Sequence, residues 1–125
     1  MLFARILLGL SSLAWLAIGV TFLFWPYSMA ATVEVQLPTP TAVIDFRATY
    51  GGFDLVIGIA FAVCALYTEW TRPGVALMAL VYAGFAGGRS IGLLLDGKPQ
   101  PLMYQLLAIE LTGLILSLVA FRYTR

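Results

Sequence analysis

Residues 45–58, DFRATYGGFDLVIG, open an apolar segment with Arg47, Tyr50, the adjacent Gly51 and Gly52, and Asp54, then run on into LVIGIAFAVCAL. A helix built only for insertion carries Leu, Val and Ile. Ionisable side chains inside a membrane segment are costly and mark either an ion-pair core or a functional site. Whether this stretch spans a membrane therefore decides the fold and the place to look for function.

Composition answers the first question. Of the 125 residues, 62% are hydrophobic, and the mean hydropathy of +0.97 lies far above that of soluble domains. The solvent is mostly lipid, and the length is that of one domain, 1–125. Seven Lys and Arg against six Asp and Glu leave no basic surface, which excludes nucleic-acid binding. With no histidine and a single cysteine, an intrachain disulfide and His-based metal, haem or triad chemistry are excluded. Cys64, inside an apolar run, reads as a small buried residue. No catalytic residue, metal site or cofactor is expected.

Working outward, the run 3–25 ends at Pro26 and is long enough to cross a hydrocarbon core of about 30 Å. A signal peptide is the rival reading, with Arg5 ahead of the run and Ser28, Met29 and Ala30 resembling a cleavage site. The run exceeds the roughly 7–15 apolar residues of a signal, so a retained helix is expected. Residues 26–45, with Glu34, Gln36, Pro38 and Pro40, read as a long outer loop before a helix over 46–67. Thr71, Arg72 and Pro73 suit a break and a new helix over 74–95 with proline in its first turn. The turn DGKPQP, 96–101, leads to a last helix over 102–121.

Short connections make consecutive helices antiparallel, so the expected fold is all-α: a polytopic, up-and-down bundle of four transmembrane helices. Arg5, Arg72, Arg122 and Arg125 flank one side, while Glu34, Asp45 and Asp96 fall on the other with Lys98 and Arg47. The positive-inside rule then places both termini in the cytoplasm.

Arg47 and Asp54, Arg89, and Glu110 lie in or at the mouth of three different spans. Counted from the expected outer ends, Asp54, Arg89 and Glu110 sit about 12, 9 and 12 Å deep, in one half of the bilayer. Arg47, Tyr50, Gly51, Asp54 and Gly58 share one helix face with a small-residue seam. Gly84, Gly88 and Gly92 repeat every four residues and suit close helix packing or an oligomer contact. Arg89 is expected to bridge Asp54 and Glu110, with Arg47 capping the group, because a guanidinium fork can hold two carboxylates.

At these residues the chain resembles a bacterial family of small four-helix integral membrane proteins known only as a domain of unknown function. The resemblance rests on RATYGGFDLVIG at 47–58, GGRSIG at 87–92 and an acidic residue in the last helix, here Glu110. It implies the bundle fold and a bacterial inner membrane, and it singles out Arg47, Tyr50, Gly51, Gly52, Arg89 and Glu110. It implies no activity.

Two functions follow as expectations. In the first, Arg47, Tyr50, Asp54, Arg89 and Glu110 bind a small polar or amphipathic molecule, with transport as one use of such a site. In the second, the chain is an accessory subunit or homo-oligomer whose ion pairs hold helix register. An enzyme using the Asp54 and Glu110 carboxylates as acid and base ranks last, and membrane lipid is the surrounding partner in every case.

Overall fold

The computed structural model describes residues 1–124, and Arg125, counted above among the flanking positive charges, lies outside them. Every element among the described residues is helical: α1 Leu2–Phe24, α2 Pro26–Thr32, α3 Pro40–Phe46, a π-helical segment Arg47–Gly52, α4 Phe53–Leu66, α5 Thr68–Leu95 and α6 Pro101–Tyr123. α3, the π segment and α4 form one continuous helix. Four helices, Leu2–Phe24, Pro40–Leu66, Thr68–Leu95 and Pro101–Tyr123, are long and apolar enough to cross a membrane. Their exposed faces carry rows of large apolar residues such as Leu2, Ile6, Leu10 and Leu13 on α1 or Leu77, Leu80, Ile91 and Leu94 on α5. Contiguous apolar surface of that extent suits lipid and not water. The chain is a multi-pass membrane protein.

Two boundaries differ from the sequence reading. The expected loop 26–45 holds α2 and the start of the second span. Thr39 accepts a hydrogen bond from the Ala42 amide at 3.2 Å, and Pro40 occupies the first turn, so Thr39 and Pro40 start a helix where the proline pair suggests a break. α2 ends in a Schellman turn: Glu34 has a positive φ of 59°, and Val35 N–H bonds Ala30 O at 2.9 Å. At the other break, α5 starts at Thr68 and carries Pro73 inside it. Only Tyr67, extended at φ −101° and ψ 119°, separates α4 from α5. Thr71 Oγ1 donates to Cys64 O at 3.2 Å, satisfying a carbonyl at the end of α4.

The chain divides into two compact units: Gly9–Val63, and Met1–Leu8 with the chain from Cys64 onward. In the first, α1 packs antiparallel to the second span through glycines. A side chain at Gly19 would meet Leu55 N at 2.5 Å and Gly51 O at 3.0 Å, one at Gly51 would meet the Leu23 backbone at 2.9 Å, and one at Gly58 would meet Leu16 N at 2.8 Å. Backbones this close exclude any Cβ. Ser12 Oγ donates to Gly58 O at 2.8 Å along the same seam. At its far end Phe22, Phe46 and Tyr50 stack, with Phe46 and Tyr50 ring centroids 4.7 Å apart.

In the second unit α5 and α6 form an antiparallel hairpin. Arg72 lies over the Phe121 ring at 4.9 Å, Gly113 leaves room for the Tyr82 ring, and Arg89 meets Glu110. Arg5 Nε donates to Ala65 O at 2.7 Å, so an arginine caps the C-terminal end of α4. Arg47 does the same for α1, its Nη1 donating to Leu23 O. Cations at helix C-termini satisfy orphan carbonyls and the negative end of the macrodipole. Arg47→Ala is expected to lower stability by about 1–2 kcal/mol, read as a fall in the thermal unfolding midpoint in detergent. An unchanged midpoint would mean that solvent serves the Leu23 carbonyl equally well.

Candidate functional site

The membrane-embedded polar groups fall into the two units, and each group is built by its own helices. In Gly9–Val63, Arg47 is committed to the end of α1 and Tyr50 to the aromatic stack. Asp54 is buried at 6% exposure, two residues past the π segment. A π turn widens the helix by one residue, and such turns are frequent at functional positions. Because the helix begins at Pro40, Asp54 lies about 21 Å along it and not the 12 Å expected from a start at 46.

In the other unit the expected pair forms. Arg89 stands six residues, about 9 Å, before the end of α5, and Glu110 nine residues, about 14 Å, past the start of α6. Antiparallel packing brings them level. Arg89 Nε donates to Glu110 Oε2 at 2.9 Å and Oε1 at 3.2 Å, and Nη2 donates to Oε1 at 2.6 Å. Two parallel bonds from one guanidinium edge make the strong bidentate arrangement, and among the described residues it is the one ion pair. Glu110 is buried at 7% exposure, and Arg89 is the partner that compensates its burial.

The other edge of Arg89 is less well served. Nη1 has Met103 Sδ at 3.1 Å, and a thioether is a weak acceptor. Arg89 and Met103 also line a cavity of about 300 Å³ at the α5–α6 turn, with Gly92, Leu93, Asp96 and Lys98 among the other lining residues. The volume sits at the lower end of the roughly 300–1,000 Å³ usual for small-molecule sites. It suits a polar group of a few heavy atoms. A charged donor with spare hydrogen-bonding capacity in such a cavity can take an acceptor oxygen.

The sequence model of a family described as Domain of unknown function (DUF4345) matches residues 3–121. The chain belongs to that family. The DUF4345 match takes in the Arg89–Glu110 pair, the cavity and nearly all of the four long helices, so fold and site fall within one shared unit. No curated protein matches the chain, and no solved structure does.

The glycines singled out from sequence divide in the same way. Gly51 and Gly58 lie against α1, whereas a Cβ at Gly52 would meet only Arg47 O, at 3.9 Å. A Cβ at Gly84 or Gly88 would have nothing within 4 Å among the described residues. A Cβ at Gly92 would meet Asp96 Oδ2 at 3.6 Å, and Gly92 lines the cavity. Lys98 also lines the cavity, although a turn lysine beside proline reads in sequence as a solvated connector. Asp96, seven residues from Arg89 on one helix face, carried the signal that the α5 end belongs to the site.

Proposed function

We propose that this membrane protein binds the polar part of a small amphipathic molecule in the cavity at the α5–α6 turn, with Arg89 as the principal donor and Glu110 holding it in place. The observation that carries the reading is the asymmetric use of the guanidinium. One edge is locked to a buried carboxylate, while Nη1 has the Met103 sulfur for partner, and both Arg89 and Met103 line the cavity. A pair serving register alone needs no cavity beside it. With the positive-inside orientation, the α5–α6 turn lies at the outer face of a bacterial inner membrane, and the ligand enters from the outer leaflet. Transport by way of this cavity remains part of the proposal.

The test is native mass spectrometry of protein extracted gently from membranes. A retained small mass is expected on the wild type and absent from Arg89→Ala. Wild-type protein that flies bare under conditions preserving its fold would count against binding.

A second reading has its own observation. Gly84 and Gly88 open on empty space, and a second copy of the chain or a partner subunit would fill it. Under that reading the Arg89–Glu110 pair registers α5 on α6 for assembly. It requires Gly88→Leu to dissociate an oligomer, while Arg89→Leu with Glu110→Leu leaves assembly intact.

A further inference from the structure

The geometry points to a zwitterionic head as the group taken at the α5–α6 turn, an anionic oxygen acid joined to a primary ammonium, belonging to an aminophospholipid of the surrounding bilayer. This rests on the binding function proposed above and names its ligand. Arg89 and Lys98 bring two positive charges to the cavity, and Asp96 and the Glu110 behind Arg89 bring two negative ones. The site is already neutral. A ligand of single sign would leave an uncompensated charge at the edge of a low-dielectric region, whereas a ligand of both signs leaves none.

Both polarities come from the end of α5 and the turn that follows it. α5 ends at the cavity, and its C-cap is Asp96, which adds a full negative charge at the negative end of the macrodipole. That is the wrong sign for a helix terminus, and Asp96 has no ion-pair partner among the described residues. An ammonium placed there is held by the Asp96 carboxylate and the end of α5 together. Lys98 and Arg89, which line the same cavity, carry the charge that an anionic oxygen acid matches.

The same lining selects among heads. Quaternary ammonium is recognised by aromatic faces, and none of the residues around the cavity is aromatic. Asp96 instead offers acceptor oxygens, which need N–H donors. The cavity of about 300 Å³ has room for a head and none for acyl chains. Beside it Leu94 and Leu95 are 85% and 77% exposed, an apolar surface along which chains can lie. This favours a lipid over a soluble zwitterion of the same chemistry.

The experiment is native mass spectrometry of the whole protein in micelles doped equally with phosphatidylethanolamine, phosphatidylglycerol and phosphatidylcholine of identical chains. Phosphatidylethanolamine adducts are expected to exceed each of the others by about tenfold, the effect of one charge-assisted hydrogen bond. Asp96→Asn, at an exposed helix end where loss of the charge does not threaten folding, is expected to keep a bound lipid but bring ethanolamine and choline heads to near parity. Free phosphoethanolamine at the same concentration leaves the adduct in place. Phosphatidylglycerol binding as well as or better than phosphatidylethanolamine would overturn the zwitterion while leaving the binding function standing. Displacement by free phosphoethanolamine would overturn the lipid in favour of a soluble zwitterion. Equal, weak adducts of all three lipids, unchanged in Arg89→Ala, would remove the binding function itself.

Discussion

Glu110→Ala is expected to destabilise the protein by about 3 kcal/mol, the largest effect of any single polar substitution in the chain. The substitution strips Arg89 of its carboxylate contacts and leaves its guanidinium, 20% exposed, with the Met103 sulfur as a hydrogen-bond partner in an apolar helix pair. The loss is the desolvation of an unpaired charge more than the value of the pair. Two companions separate these. Glu110→Gln keeps shape and one acceptor and should lose about 1–2 kcal/mol. Arg89→Leu with Glu110→Leu removes both charges and should recover most of the wild-type midpoint while abolishing ligand retention. A double variant as unstable as Glu110→Ala alone would show instead that the pair contributes net stability.

Gly19→Val is the second large effect, and it belongs to packing. The added Cβ would fall 2.5 Å from Leu55 N and 2.8 Å from Leu55 Cα, backbone atoms that cannot rotate away. α1 must shift off the second span, breaking the seam at Gly51 and Gly58 and the Ser12 bond to Gly58 O. We expect a loss of about 3 kcal/mol or failure to accumulate in membranes. Gly88→Ala is the matched control: nothing lies within 4 Å, so alanine should be neutral or raise stability by up to about 1 kcal/mol through helix propensity. Equal behaviour of the two variants in thermal unfolding would mean that the α1 seam does not hold the unit together.

These contrasts show what the sequence could and could not disclose. Apolar length made the four long helices legible, because nothing but a helix satisfies its own backbone in lipid over some twenty residues. The proline rule was sound but applied to the wrong proline. Thr39 ahead of Pro40 has a hydroxyl that can cap, so a helix starts there; Arg72 ahead of Pro73 has no acceptor, and the helix runs through. Arg89 and Glu110 could be paired in advance because a short turn makes α5 and α6 antiparallel neighbours. The glycines could not be sorted, since spacing says which residues share a face and not what that face meets. Gly58 and Gly88 look alike in sequence, yet one lies against Leu16 and the other opens on nothing. The role of Arg47 at Leu23 O was hidden for the same reason: a carbonyl at a helix end leaves no trace in composition.

The most direct test of an amphiphile head at the α5–α6 turn is photo-crosslinking in bilayers with a lipid carrying its reactive group beside the head, followed by residue-level mapping. Crosslinks are expected to concentrate on Leu93, Lys98 and Met103 and to be lost in Arg89→Ala, with the exposed residues of α1 labelled only at background. Labels spread evenly over every exposed helix end, and indifferent to Arg89→Ala, would show that lipid merely surrounds this protein.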